Sequence, residues 1–194
     1  MGAYPVLRRF TPEEYLRLER ASATRNEYID GQIYAMAGGT MEHDTIVKNI
    51  DRALAPQLEG GPCDTWTGNF RIAVSKSGPY YYPDLSVICG EPELLDRSRD
   101  CALNPVAVFE VSSKSTRKFD RDTKVVRYQE IFTIRHIVLI SQYSVAVEHH
   151  FRRPRGKWRV EKLTGLSSTL ALPPIGATLP LTVIYNKLAL HLRA

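Results

Sequence analysis

The stretch 106–128, VAVFEVSSKSTRKFDRDTKVVRY, constrains this chain more than any other part of it. Val106, Ala107, Val108 and Phe109 make a short apolar run of β-prone residues, the pattern of a buried strand. Glu110 closes that run with a carboxylate. A Ser/Lys/Thr turn follows, and the basic segment beyond it reads as a helix that carries Lys124. A buried strand that delivers an acid to its end, followed by a helix that brings a lysine back toward it, is one way to build a metal-dependent site. Such a site needs further ligands from elsewhere in the chain.

At 194 residues the chain has the length of one domain and can bury a substantial core. Its 43% hydrophobic and 24% charged residues are ordinary for a globular protein. No run reaches the roughly 18 apolar residues of a membrane span. The N-terminus, MGAYPVLRRF, lacks the apolar core of a signal peptide, so a cytoplasmic location is expected. Cys63, Cys89 and Cys101 are too few and too scattered for a disulfide framework, and no CxxC pair offers a structural zinc site. His149 and His150 are adjacent, so on a strand they face opposite sides and cannot share a metal.

The net charge is +5, which suits a polyanionic partner without establishing one. Clustering carries more information. Between 114 and 127 six basic residues (Lys114, Arg117, Lys118, Arg121, Lys124, Arg127) face two acids (Asp120, Asp122), and 152–159 holds five basic residues and no acid. A solvated face is the bland reading of either cluster.

Taken in order, Thr11-Pro12-Glu13-Glu14 starts a helix with a capping box, and Tyr15, Leu16 and Leu18 supply its apolar face. Asp30-Gly31 between two β-prone runs predicts a two-residue hairpin with Glu27 at the start of its first strand. Thr40 caps a second helix, with Ile46, Val47, Ile50, Leu54 and Leu58 at helical spacing. The N-terminal part is therefore expected as helix, hairpin, helix. Strands are expected over 64–75 and 80–89, with Pro83 marking an edge or bulge, and a short helix over 92–96. After a helix over 120–131, a strand over 135–141 and a C-terminal β-hairpin, 145–152 with 157–163, complete the sheet. The proline-rich tail 167–181 is expected to wrap a surface or meet a partner subunit, and 181–192 to end as helix.

Three acids stand where a strand or hairpin presents them next to a turn: Glu27, Asp84 and Glu110. A carboxylate at the end of an apolar run is desolvated, and a desolvated pair repels unless a cation neutralises it. Hard divalent cations with oxygen ligands do so, and Mg²⁺ keeps several waters for chemistry. Lys114 in the turn and Lys124 on the helix are candidate amines. With a helix from 120, Arg117, Arg121, Lys124 and Tyr128 fall roughly on one face, which looks either at the acids or at solvent.

The set Glu27 (in NEYIDG), His43 (in MEHDTI), Asp84 (in YPDLSV), Glu110 (in FEVSSKST) and Lys124 (in DRDTKVVRY) resembles the Uma2 family, also called DUF820. That family is a branch of the PD-(D/E)xK, restriction-endonuclease-like superfamily. The resemblance spans about 10–184 of a single domain, 1–194, leaving 185–194 as a tail. It implies an α/β (mixed α+β) fold: a restriction-endonuclease-like core of mixed β-sheet flanked by helices. It implies a catalytic set of Glu27, Asp84, Glu110 and Lys124, with Mg²⁺ held by Asp84 and Glu110 and Mn²⁺ able to substitute. In most of the superfamily the lysine stands two residues after the second acid, where this chain has Ser112; the family pattern places it on the following helix, as Lys124. The turn reads SKST where relatives read SPST, so whether Lys114 adds to or competes with Lys124 stays open. His43 matches a family histidine and, with Lys114, is an accessory candidate.

The implied activity is Mg²⁺-dependent hydrolysis of phosphodiester bonds in nucleic acid, with DNA the expected substrate. Arg117, Arg121, Arg152, Arg153 and Arg155 are the candidate phosphate contacts. A homodimer is expected, because two sites are the simplest way to cut both strands of a duplex. The competing reading is a nucleic-acid-binding or regulatory module that keeps the fold without cleaving. Hydrolysis of a small phosphate ester is a third, and the chain holds no glycine-rich nucleotide loop.

Overall fold

The computed structural model describes residues 8–36, 38–113 and 117–189. Helix α1 (Pro12–Ala21) opens with the full capping box: Thr11 Oγ1 accepts from the Glu14 N–H, and the Glu14 carboxylate accepts from the Thr11 N–H. Tyr15 is the buried residue of its apolar face, whereas Leu18 is 38% exposed. Strands β1 (Asn26–Ile29) and β2 (Gln32–Ala35) pair antiparallel around Asp30 and Gly31. Both turn residues have positive φ (49° and 87°), the requirement of the two-residue turn that matches strand twist. Helix α2 (Met41–Leu58) is capped by Thr40 and buries Ile46, Ile50, Leu54 and Leu58.

A six-stranded sheet forms the centre. Its members are β3 (Cys63–Thr67), β6 (Leu85–Cys89), β8 (Pro105–Ser112), β9 (His136–Ser141), β10 (Ala146–Arg152) and β11 (Trp158–Thr164), in the order β11-β10-β9-β8-β6-β3. Only β8 and β9 run parallel. A second sheet, in the order β2-β1-β5-β4-β7, adds β4 (Arg71–Ala73), β5 (Tyr80–Tyr81) and β7 (Cys101–Ala102). One face of the large sheet (Leu85, Val87, Phe109, Val111, Val138, Ile140) packs on α2, and the other (Ile88, Val108, Ile137, Leu139) on Val125, Tyr128, Ile131 and Ile134.

Several expectations are corrected. The segment 64–75 is not one strand: it turns at Gly68 and passes from the large sheet (β3) to the small one (β4). The segment 80–89 returns the same way, as β5 then β6, broken at Pro83, which has no N–H for a ladder. Asp84 therefore lies where the chain crosses between sheets. No helix forms over 92–96; Leu94 instead bridges Ala102. The expected helix over 120–131 is two pieces, a π-helical turn (Asp120–Lys124) and α4 (Val125–Glu130), and the short α3 (Arg117–Phe119) precedes them.

The proline-rich tail folds back on its own chain. Strands β12 (Thr169–Leu172) and β13 (Ala177–Pro180) form a hairpin, and Leu170, Leu172, Leu179 and Leu181 are fully buried in the cluster around α2. The tail thus covers a surface of its own chain, the first of the two uses its prolines suggested. Of the helix expected over 181–192, the described residues form a single turn, α5 (Leu181–Ile184), and 190–192 lie outside the described residues. Cys63 and Cys89 form a disulfide, contrary to expectation. They stand directly opposite in the antiparallel register of β3 on β6, a relationship that a sequence separation of 26 does not reveal. Among the described residues no helix is long and apolar enough to cross a membrane.

Candidate active site

Four elements deliver the site. The β1 strand carries Glu27, the crossing before β6 carries Asp84, β8 carries Glu110, and the π-helical turn carries Lys124. Glu110 does not end its strand; β8 continues to Ser112, so the carboxylate is 4% exposed and sits under the helix. Asp120, Lys124 and Tyr128 follow one another at i, i+4, i+4 and are all buried, which makes them the inward face of that helix. Arg121 is not on that face; its guanidinium reaches Glu148 on β10 through two bonds, 3.1 and 2.6 Å.

The Lys124 amine is the hub. Nζ lies 2.8 Å from Glu27 Oε1, 3.2 Å from Glu110 Oε1 and 4.0 Å from Asp120 Oδ1. Glu27 Oε1 also accepts the Tyr82 N–H at 3.2 Å, and Glu110 Oε1 accepts the Tyr128 hydroxyl at 2.7 Å. Asp84 Oδ2 accepts the Val111 N–H at 2.6 Å, so its carboxylate is tied to the strand residue next to Glu110. His43, in the first turn of α2, meets the same oxygen at 3.1 Å. The α2 N-terminus thereby faces the acids, where its backbone dipole favours negative charge.

The electrostatics follow from burial and crowding. Loss of water drives the Glu110 carboxyl well above its usual range; Lys124 opposes this, and Asp120, Asp84 and Glu27 add to it. Burial works against charge on Lys124, but Glu110, Glu27 and Asp120 outweigh it and raise its pKa. The hydrogen bond to Asp84 raises His43 against its own desolvation. Glu27, Asp84, Glu110 and Asp120 thus outnumber the single buried amine. An acid-rich, desolvated pocket of this kind calls for a further cation or a retained proton.

A hard divalent cation is one that these donors can serve. Asp84 and Glu110 offer carboxylate oxygens, the ligand type that Mg²⁺ takes one or two at a time while keeping waters. Among the described residues no three His, Cys, Asp or Glu side chains converge as a ready-made metal cluster.

The structure brings Glu27, Glu110 and Lys124 into direct contact, and Asp84 and His43 beside them. Arg152 stands elsewhere: its guanidinium donates to the carbonyls of Gln129, Ile131 and Phe132 and covers the Trp158 ring at 4.8 Å, capping the C-terminal end of α4. Arg153 and Arg155 are exposed on the β10–β11 turn. Glu148 is level with Glu110 through Leu139, and Arg152 is four residues further on, roughly 13 Å at about 3.3 Å per residue. The second basic cluster is therefore at the other end of the sheet from the acids. Lys114 and the Arg117 side chain lie outside the described residues. Sequence reasoning gave Asp120 no part in the site and placed Tyr128 only on a helix face; the i, i+4 spacing of Asp120, Lys124 and Tyr128 was the available signal.

A mixed sheet flanked by helices, with Glu110 on a central strand, Asp84 just before the neighbouring strand β6 and an amine on the next helix, defines a restriction-endonuclease-like α+β fold. The Uma2 family, described as "Putative restriction endonuclease", matches residues 12–183, and the chain belongs to that family. A Synechocystis protein described as "Uncharacterized protein slr1290" is 32% identical over 181 residues, covering 93% of this chain and 94% of its own. A second from the same organism, "Uncharacterized protein sll1609", is 30% identical over 155 residues, covering 80% and 88%. The crystal structure of "a putative nuclease belonging to DUF820" from Anabaena variabilis superposes with a TM-score of 0.72 at 16% identity, covering 91% of this chain and 97% of that one. The last is a likeness of fold.

Proposed function

We propose that the protein hydrolyses phosphodiester bonds in nucleic acid, with DNA as substrate, and that Asp84 and Glu110 hold the Mg²⁺ it requires. The observation that carries this reading is the buried Lys124 amine, 2.8 Å from Glu27 and 3.2 Å from Glu110, in a pocket where acids outnumber bases. When bound, the ion would polarise a phosphoryl oxygen and acidify a water.

The chain's own residues do the rest. The Val111 N–H and His43 hold the Asp84 carboxylate by one oxygen, Oδ2. The Tyr128 hydroxyl holds Glu110 by Oε1. Glu27, fixed by the Tyr82 N–H, and Asp120 flank the amine and keep it charged and oriented. A charged Lys124 orients the attacking water and offsets negative charge that builds on the phosphate, a contribution that is large in a desolvated site.

Incubation of the purified protein and supercoiled plasmid with Mg²⁺ or Mn²⁺ tests the reading. Nicking is expected, and Asp84→Asn and Glu110→Gln should each abolish it; variants as active as the parent would exclude this site. Independently of turnover, a saturating ion at about 100 times its Kd should stabilise the parent by about 2.7 kcal/mol and the Asp84→Asn variant by less.

One observation favours the non-cleaving alternative. Lys124 already satisfies Glu27 and Glu110 without a metal, as it would in a module that only binds nucleic acid. In that case DNA affinity is indifferent to Mg²⁺ and no metal gives turnover.

A further inference from the structure

The face of the large sheet that carries Glu110 does not end at the acids. By register Glu110 is level with Leu139, Glu148 and Lys162, and Ser112 with Ser141, Ala146 and Thr164. Apart from Glu110 itself, these two rows line a groove of about 280 Å³ that starts at Ser112 and Ser113 and reaches Lys162 on the edge strand β11. Three strand spacings of about 4.8 Å separate Glu110 from Lys162, so the groove extends about 14 Å from the site.

Its floor is largely apolar (Leu139, Ile140, Val147, Leu163), and the polar groups set around it have the chemistry of a phosphate track. Ser112, Ser113, Ser141, Ser144 and Thr164 bring hydroxyls, while Arg121 and Lys162 bring positive charge. The one acid in the lining, Glu148, is engaged on both sides: Arg121 grips it through two bonds, and His150 Nε2 lies 2.9 Å from its Oε1. Glu148 thus fixes the Arg121 guanidinium over the groove, and 42% of the arginine side chain stays open to solvent. Arg121 comes from the same π-helical turn as Lys124, so one short element serves both the acids and the groove.

We propose that this groove seats a phosphate flanking the scissile one, so that the substrate strand crosses the sheet from β8 toward β11, with Arg121 and Lys162 as its contacts. This rests on the nuclease reading above and adds to it the path of the strand.

Lys162 is exposed and tests the idea without disturbing the core. A fluorescein-labelled DNA oligonucleotide is titrated across a salt series, with EDTA present to prevent turnover, and the same oligonucleotide is cleaved with Mg²⁺. Lys162→Gln should weaken binding about fivefold and lower the slope of log K against log salt by about one. In cleavage it should raise KM and spare kcat. Arg17→Gln, the same change in charge on the exposed side of α1, should do neither. Equal effects from the two variants, or none from Lys162→Gln, overturn the groove while parental cleavage keeps the nuclease reading. A parent protein that neither binds nor cleaves nucleic acid overturns both.

Discussion

Lys124 Nζ stands 2.8 Å from Glu27 Oε1, a salt bridge between two side chains that are each 7% exposed. It fastens the N-terminal hairpin to the helix that follows β8 and closes the acid pocket from one side. Removing one partner of a buried pair strands the other's charge, and this is costlier than replacing both.

Lys124→Met should therefore destabilise the fold by about 3–5 kcal/mol, because Glu27 and Glu110 lose their shared cation. Adding Glu27→Gln should recover part of that loss. Urea denaturation of the single and double variants measures it; a single variant as stable as the parent would show the amine to be dispensable to the fold.

The Tyr128 hydroxyl is the nearest donor to Glu110, at 2.7 Å. Tyr128→Phe keeps the ring against Tyr81 and deletes that bond alone. The expected cost is about 1–3 kcal/mol, the range for a buried acceptor left short of a partner. Cleavage should fall as Glu110 loses its anchor, and urea midpoints with cleavage rates read the two effects separately.

Arg152 should behave as a structural residue. Arg152→Lys keeps the charge but not the planar fork that reaches three carbonyls of the α4 end and stacks on Trp158. Stability should drop by about 1–3 kcal/mol with DNA affinity unchanged. An affinity loss at full stability would restore it as a phosphate contact.

Acid should weaken the fold through His136. Its Nδ1 lies 2.8 Å from His149 Nε2, whose other nitrogen lies 3.0 Å from Glu161, and the pair is buried on the α2 side of the sheet. Burial first, then His149, pushes His136 down to about 3 from 6.5. Above pH 6.5 the ring is neutral in both states and costs nothing. Below it the unfolded chain takes up a proton that the folded one refuses until about pH 3, so stability falls with falling pH across that window, by up to about 1.4 kcal/mol per unit. His149, also lowered, acts in the same direction. Urea midpoints at pH 7, 6, 5 and 4 should show a steeper fall for the parent than for His136→Gln.

Local signals carried far in this chain. The Thr11–Glu14 capping box, the Asp30-Gly31 turn, the Thr40 cap and the apolar run before Glu110 each act within a few residues, and each formed where its pattern placed it. Glu27, Asp84 and Glu110 could be listed because each acid stands at a strand or hairpin next to a turn, whereas Lys124 was singled out over Lys114 by the resemblance to the family pattern. The crossings between sheets could not, since 64–75 and 80–89 alternate like continuous strands and only the partners on either side reveal the breaks at Gly68 and Pro83.

Composition and pattern were enough for the first helix, the hairpin, the two helix caps and the buried run of β8, because those follow from backbone sterics, hydrogen bonding to near neighbours and the periodic exposure of side chains. Folding in three dimensions assigned the neighbours: Tyr128 and Asp120 to the acid pocket, Arg121 to Glu148, Arg152 to the α4 end, Cys63 to Cys89, and the proline-rich tail to α2. Those pairings depend on strand register and on which surface is dehydrated, and neither quantity is a property of any short stretch of chain.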